Sequence, residues 1–427
     1  MKKVLIISYY WPPTGGSGVQ RWVKFTKYLG RFGWQSVVYT PENPEQLAID
    51  ESLAAEVPED VTVLKRHISE PYAIYRKFFK TSDKGMGVNP LNQQKKSLKQ
   101  RLAVLLRGNL FVPDPRVGWV NPSVRFLTKW LKDNPVDAVV TTGPPHSMHR
   151  IGLKLKKRTG VRWISDFRDP WTEMHYFKHL GLLPWTASWH RRLEQRVLDM
   201  SDVVIAVSAP VRDDFQARTS TPVVLLTNGF DSEDFASTPP ARPADRFTIV
   251  HTGLFASDGN PLRLWDVLAG KCASDSNFKQ QLRIRLAGKT DTEILEALRS
   301  RGLWDNVENL GYLPHPQTVE LQRSASVLIL PLRQEPEYEK ALPGKIFEYM
   351  AARRPVLGIG QEGGAAAGML RSCGAGVMYD WDKEEPVREY IDACWDRHLL
   401  GTDGPCEGNI EQYSRVELTR RLTEEIL

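Results

Sequence analysis

Lys345 and Glu348 stand three residues apart in Gly344-Lys345-Ile346-Phe347-Glu348-Tyr349-Met350. At that spacing both side chains leave one face of a helix at its first turn. An ammonium beside a helix N-terminus suits a diphosphate, and a carboxylate can accept hydrogen bonds from two ribose hydroxyls. The plainer use is an exposed ion pair of little energetic weight. Thr14-Gly15-Gly16-Ser17-Gly18 follows an apolar run and opens a helix-like one. Glycines there let the backbone approach an anion, although the spacing is not G-x-G-x-x-G and a tight turn also explains them. In Thr142-Gly143-Pro144-Pro145-His146 the histidine is placed to shuttle a proton, to contact a hydroxyl or to cap a helix. Ser165-Asp166-Phe167-Arg168-Asp169-Pro170-Trp171 ends another apolar run with two acids and a guanidinium. Asp166 and Asp169 suit base work or hydroxyl recognition, with Arg168 pairing with either acid or with a phosphate. A structural ion pair with a helix cap is the alternative. Asp380 and Asp382 have a D-x-D spacing that can hold a divalent cation, but a helix-like run, Pro386–Trp395, follows and an N-cap explains them. No His/Cys cluster has transition-metal spacing, so neither a metal nor a cofactor is expected.

These residues need strands that end where they begin. The first half repeats strand and helix: VLIISYY (4–10), QSVVYT (35–40), VTVLKR (61–66), DAVVTTG (137–143), VRWISDF (161–167), SDVVIAVS (201–208) and PVVLLTNG (222–229). After a polar, proline-bearing stretch at 231–246 the rhythm restarts with FTIVHTG (247–253), LRIRLAG (282–288), SVLILPL (326–332) and RPVLGIG (354–360). Continuous apolar strands alternating with helices predict parallel sheets covered on both faces. The expected fold is α/β, with two Rossmann-like doubly wound domains facing across a cleft. The N-terminal domain is residues 1–230, the linker 231–246, the C-terminal domain 247–400, and the tail 401–427 ends in an amphipathic helix over 413–427. Such sheets bind ligands at the carboxyl ends of their strands, where the motifs fall.

The chain has 427 residues, 41% hydrophobic and 25% charged, with a net charge of +6. That mixture folds, which excludes a wholly disordered chain. No apolar run reaches the roughly 18 residues of a spanning helix. The apolar start, Met1–Trp11, reads as a buried strand and not as a targeting signal. Cys272, Cys373, Cys394 and Cys406 are widely spaced and fit a reducing, cytoplasmic setting. Residues 71–110 hold nine basic residues and one acid, interleaved with aromatic and aliphatic residues. That pattern suits an anionic membrane surface on the inner face of the cell membrane, or equally a solvated insertion that packs on its own domain; nucleic acid is not expected, for want of a recognisable module.

VLIISYYWPPTGGSG, SDVVIAVS, NGFD (228–231), IVHTG and GKIFEYMAARRPVLGI occur in that order, and together they resemble a family-4 retaining glycosyltransferase with the GT-B fold. The HTG, PPHS and SDFRDPW segments look like a bacterial branch that works on surface polysaccharides. The resemblance implies metal-independent transfer, with retention, of a sugar from a nucleotide-sugar donor held by the C-terminal domain. The acceptor, a glycan or lipid-linked sugar, would lie on the N-terminal domain, onto which the C-terminal helix crosses back. Donor contacts are then expected from Gly15, Gly16, Gly253, Lys289, Gly344, Lys345 and Glu348. His146, Asp166 and Asp169 are the expected catalytic residues. Glu348 matches the second glutamate of an E-x7-E motif whose first position is Lys340, with Glu335, Glu337 and Glu339 nearby. The cations that usually follow the IVHTG strand are out of register, which leaves Lys345, Lys289 or Arg263 to supply the charge. A nucleotide-sugar epimerase or hydrolase of the same fold, and a non-catalytic membrane-associated scaffold, are the competing readings.

Overall fold

The computed structural model describes residues 1–44, 49–68, 105, 108–174, 177–236, 245–402, 406 and 408–427. The basic segment 71–110 lies outside the described residues except for Leu105 and 108–110. The chain divides into two compact units, Met1–Thr227 with Val416–Leu427, and Asn228–Arg415.

In the first unit the described residues form a seven-stranded sheet. Its strands are β1 (Lys2–Ile7), β2 (Trp34–Pro41), β3 (Thr62–Arg66), β4 (Ala138–Gly143), β5 (Trp163–Phe167), β6 (Val203–Ala206) and β7 (Val223–Leu225). They are parallel, in the order β3-β2-β1-β4-β5-β6-β7. Alternate residues of one strand serve opposite cores, as the period of two requires. Leu5, Ile7 and Val139 join Trp119 and Ile151 on one face. Val4, Ile6 and Val38 join Trp22 and Val23 on the other. The connecting helices that matter here are α1 (Ser17–Leu29), α2 (Val117–Asp133), α3 (Ser147–Thr159) and α4 (Pro184–Met200).

The second unit repeats the plan with a six-stranded sheet. It contains β8 (Thr248–Thr252), β9 (Arg283–Ala287), β10 (Val307–Gly311), β11 (Val327–Pro331), β12 (Val356–Ile359) and β13 (Gly376–Tyr379), ordered β10-β9-β8-β11-β12-β13. Helices α5 (His315–Ser324), α6 (Lys345–Ala351) and α7 (Glu384–Leu399) serve the site described next or its borders. The last helix, α8 (Arg415–Arg421), continues as a π-helical turn, Leu422–Ile426. Leu418, Leu422 and Ile426 recur every four residues and are buried against the first unit's sheet, so Val416–Leu427 belongs to the N-terminal unit by its packing, while the described residues of 401–415 belong to the second unit.

The architecture is the expected pair of Rossmann-like domains, but the sequence pattern misses the two edge strands β10 and β13. β10 reads Val-Glu-Asn-Leu-Gly and is largely exposed, so it lacks the apolar run that marks an inner strand. β13 is four residues long. Several expected strands also run past their true ends. VLIISYY stops at Ile7, because the Ser8 hydroxyl donates to the Tyr10 carbonyl (2.8 Å) and turns the chain. The stretch expected as unstructured linker begins with a short helix, Ser232–Ala236, and 237–244 lie outside the described residues.

Strand order reverses between β1 and β4 in the first sheet and between β8 and β11 in the second. Ligands of open parallel sheets bind outside the carboxyl ends at such switch points.

Candidate active site

At the second unit's switch point β8 ends in Gly253, whose φ of +88° favours glycine. The place of a Cβ there lies in ordinary van der Waals contact with Lys345, 3.6 Å from its Nζ. Gly288 closes β9 in the same manner, and a Cβ on it would meet the Gly253 carbonyl oxygen at 2.3 Å. The two strand ends thus approach so closely that only bare backbone fits. Lys345, the first residue of α6, reaches across this floor. Its Nζ lies 2.9 Å from His251 Nε2 and donates to the Leu254 carbonyl at 3.3 Å. His251 is 1% exposed, and burial together with the Lys345 charge holds it well below the usual imidazole range. It is therefore a neutral acceptor for the ammonium. Burial pushes Lys345 down to about 8, with Glu348 opposing the shift.

Glu348 does not pair with Lys345. Its Oε2 accepts from Gln322 Nε2 at 3.1 Å, and the same amide donates to Thr252 Oγ1 at 3.0 Å. Gln322 is fully buried on α5, and Tyr349 accepts the Thr252 N–H at 2.9 Å from the neighbouring position on α6. Both charged groups of the site thus lean on neutral partners. His251 sat unassigned within IVHTG, and Gln322 occupies a turn of α5 beside Val319 where the helical period calls for an apolar residue. That mismatch was the signal available in the sequence.

The other expected donor contacts divide. Lys289 is exposed just beyond β9, and Gly344 is exposed at the start of α6. Arg263 pairs with Asp266 (3.4 Å) and Glu384 (3.8 Å), which removes it as a substitute cation. Glu335 stands in the loop after β11 with its Oε2 buried and unpartnered among the described residues. Asp380 is not a helix cap: α7 begins at Glu384, and Asp380 exchanges side-chain-to-backbone hydrogen bonds with Glu362 (3.3 Å each).

At the first unit's switch point the charges are spent internally. Asp166, on β5, is fully buried. Its carboxylate accepts from Arg21 Nη2 (2.9 Å) and Nε (3.2 Å), Trp22 Nε1 (2.7 Å) and Thr142 Oγ1 (2.9 Å). Burial would raise its pKa, but the Arg21 charge and these donors outweigh it and hold the carboxyl below its ordinary value. The expected catalytic role gives way to an anchoring one, because both oxygens are occupied and no surface is left. Arg168 is likewise committed. It donates to the carbonyls of Gly18 (2.6 Å), Gly143 (3.3 Å) and Pro144. A Cβ on Gly18 would meet its Nη1 at 2.5 Å. Arg168 therefore clamps the β1–α1 and β4–α3 loops together. Gly16, at φ +110°, supplies the turn into α1, while Gly15 is buried.

Two groups remain uncommitted. His146 is 5% exposed, stacks on Trp171 at 4.9 Å and 1°, and among the described residues has no hydrogen-bond partner on either ring nitrogen. Burial, with His149, Arg168 and His190 nearby, keeps it neutral. Asp169 is partly exposed, and burial lifts its carboxyl to about 6 against the pull of Arg168. The stack is held from behind: Glu194 on α4 accepts the backbone N–H groups of Trp171 and Thr172 (3.1 Å each), and Trp171 Nε1 donates to His190 Nδ1 at 3.1 Å. Asp114, not foreseen as important, caps α3 through the Ser147 N–H and hydroxyl (2.8 Å each) and so fixes the turn that carries His146.

Residues 89–234 match the family model Glycosyltransferase Family 4, and residues 248–393 match Glycosyl transferases group 1. Two such domains, each on its own Rossmann-like sheet, make this chain a glycosyltransferase of the GT-B architecture. Among solved structures it is similar over 99% of its length to a glycosyltransferase from Rickettsia africae, with 14% identity, 97% of that chain covered and a TM-score of 0.62. Sucrose-phosphate synthase from Thermosynechococcus elongatus gives 14% identity, 99% and 98% coverage and a TM-score of 0.62. WaaG, a glycosyltransferase involved in lipopolysaccharide biosynthesis, gives 15% identity, 99% and 95% coverage and a TM-score of 0.54. No curated protein sequence matches the chain significantly.

Proposed function

We propose that the protein transfers a hexosyl group, with retention and without a metal, from a nucleotide-sugar donor to a hydroxyl of a glycan or lipid-linked acceptor in surface polysaccharide synthesis. The observation that carries this reading is the pair of charges at the second switch point, each held by a neutral partner: Lys345 on His251 and Glu348 on Gln322. A cation whose partner is neutral keeps its charge for the donor diphosphate. Glu348 keeps its Oε1 for the ribose. Gly253 gives the phosphates room, and Lys289 adds a second positive group.

In the transfer, the bond from the anomeric carbon to the diphosphate oxygen breaks and that carbon bonds the acceptor oxygen on the same face. The acceptor proton passes to the departing phosphate oxygen. Lys345 stabilises the charge that develops there, and no nucleophilic side chain is required. His146, neutral and with both ring nitrogens unpartnered, and Asp169 would orient the acceptor hydroxyl. Involvement in surface glycans rests on the kinship of fold with WaaG and on the basic, aromatic composition of 71–110.

The test is thermal unfolding of wild type and Glu348→Ala against a panel of nucleoside diphosphates and nucleotide sugars. A ligand at 100 times its Kd adds roughly 2.7 kcal/mol, which shifts the midpoint by a few degrees. A shift with one base, lost in the variant, supports the donor site. Absence of any shift sinks it in favour of a scaffold. Donor turnover without acceptor would move the assignment to an epimerase or hydrolase.

A further inference from the structure

Helix α4 faces two ways. Its inner side buries His190, Leu193, Glu194 and Val197 beneath the Trp171–His146 stack. Its outer side carries Trp185 at 69% and Trp189 at 50% exposure, followed by exposed Arg192 and Arg196. At 3.6 residues per turn these four positions fall within about 60° of one another, as a single stripe. Two indoles on the outside of one helix leave a large apolar area in water, which a solitary domain has no reason to keep.

The guanidiniums on this side are equally unspent. Among the described residues, Arg192 and Arg196 make no hydrogen bond or ion pair. Helix α8 shows the contrast: Arg420 pairs with Glu417 and Glu424, and Arg421 with Glu425. Asp199, three residues beyond Arg196 on the same helix, already accepts from Gln195 and Thr219. The apolar end of the stripe is extended by a neighbouring turn. Asn109 donates to the Gly181 carbonyl (3.2 Å) and accepts the Leu183 N–H (2.8 Å), which brings Leu110, 68% exposed, to the start of α4.

We propose that this face of α4 docks on an anionic lipid bilayer, with Trp185, Trp189 and Leu110 at the boundary of headgroups and acyl chains and Arg192 and Arg196 on lipid phosphates. Indoles favour that boundary because one edge is polar and the body apolar. Guanidinium binds phosphate in a bidentate fork. Nucleic acid would satisfy the arginines as well, but it has no use for an exposed leucine beside the indoles. The surface shares Leu110 with the basic segment 71–110, takes its indoles and guanidiniums from α4, and does not depend on the catalytic reading. It lies one helix away from the loop that carries Trp171.

The experiment is co-sedimentation of the full chain with phosphatidylcholine vesicles, with and without roughly one-third phosphatidylglycerol. Wild type is expected to sediment with the anionic vesicles. Trp185→Ser/Trp189→Ser should weaken binding more than roughly tenfold, and Arg192→Glu/Arg196→Glu roughly 30-fold. Unchanged circular dichroism and melting would show that these surface variants fold. If both double variants bind as wild type does, whatever a charge reversal in 71–107 does, the α4 face is not the docking surface. The proposal also fails if wild type ignores both vesicles, including the case in which it binds a single-stranded oligonucleotide instead.

Discussion

The two switch points treat charge in opposite ways. In the N-terminal unit the Asp166 charge is cancelled by Arg21 and the donors of Arg168 are taken up by three backbone carbonyls, so neither group has hydrogen-bonding capacity left for a ligand. In the C-terminal unit Lys345 meets a neutral imidazole and Glu348 a neutral amide, so each charge is positioned but not cancelled. A site that keeps its charges suits a charged ligand. A site left with a neutral histidine and an acid lifted to about 6 suits a hydroxyl, which either group can orient. The proposed donor and acceptor ends thus stand on sheets of one plan, and the difference between them lies in who partners whom.

The comparison is broken most severely at Asp166. Asp166→Ala deprives the buried Arg21 guanidinium of its carboxylate and leaves it with backbone carbonyls such as those of Leu226 and Thr227, which should cost about 3–5 kcal/mol in unfolding free energy. Denaturant titration measures it. The pH dependence has a definite sign: the folded-state pKa is depressed, so the pair's stabilisation is complete above the ordinary carboxylate range and is lost as pH falls through the lower folded value. A variant as stable as wild type would show that Asp166 is not an anchor.

Lys345→Met should leave the fold intact and weaken nucleoside diphosphate binding by about 1.5–3 kcal/mol, the range for hydrogen bonds to charged groups. Calorimetric titration reads this directly. Because the ammonium titrates near 8, affinity should hold below that pH and decline as pH rises through it. His251 faces Lys345 from β8 and stays neutral throughout, while Glu348 faces it from its own helix. Lys345→Arg should remove the decline. A flat profile in wild type would mean that Lys345 does not touch the diphosphate.

What the sequence revealed follows from the same contrast. Apolar strands followed by glycines and charges showed both sheets and the strand ends that carry the motifs, because burial and backbone clearance leave marks at fixed spacing; the strand order that makes two of those ends switch points left no such mark. Lys345 and Glu348 were legible because they share one helical turn. Their partners were not, since His251 and Gln322 come from other elements and pairing across a fold leaves no local pattern. Asp166 and Asp169 looked alike in one segment, three residues apart. Strand direction separates them: Asp166 lies within β5 and points into the core, whereas Asp169 follows its end. Arg21 was hidden for a similar reason, as a cation on the buried side of α1 that makes sense only once Asp166 is placed opposite.

Gln322→Leu should have a smaller effect, about 1–3 kcal/mol, and it sharpens the comparison by separating positioning from charge. The variant removes the donor to Glu348 and to Thr252 without touching either charge, so donor binding should weaken while Lys345 keeps its pH profile. Gln322→Glu, which sets a carboxylate against Glu348, should do worse than leucine.

Asp169→Asn has the least effect on stability and the most diagnostic sign. Its raised pKa means that folding favours the protonated acid, so ionisation costs stability progressively as pH climbs from the ordinary carboxylate range through about 6. The asparagine variant should therefore melt above wild type at pH 8 and together with it near pH 4, where both side chains are neutral. If Asp169 orients the acceptor, the same variant should lose turnover while donor binding is unchanged. Stabilisation without loss of turnover would make Asp169 a strained bystander, and the acceptor end would then rest on His146 alone.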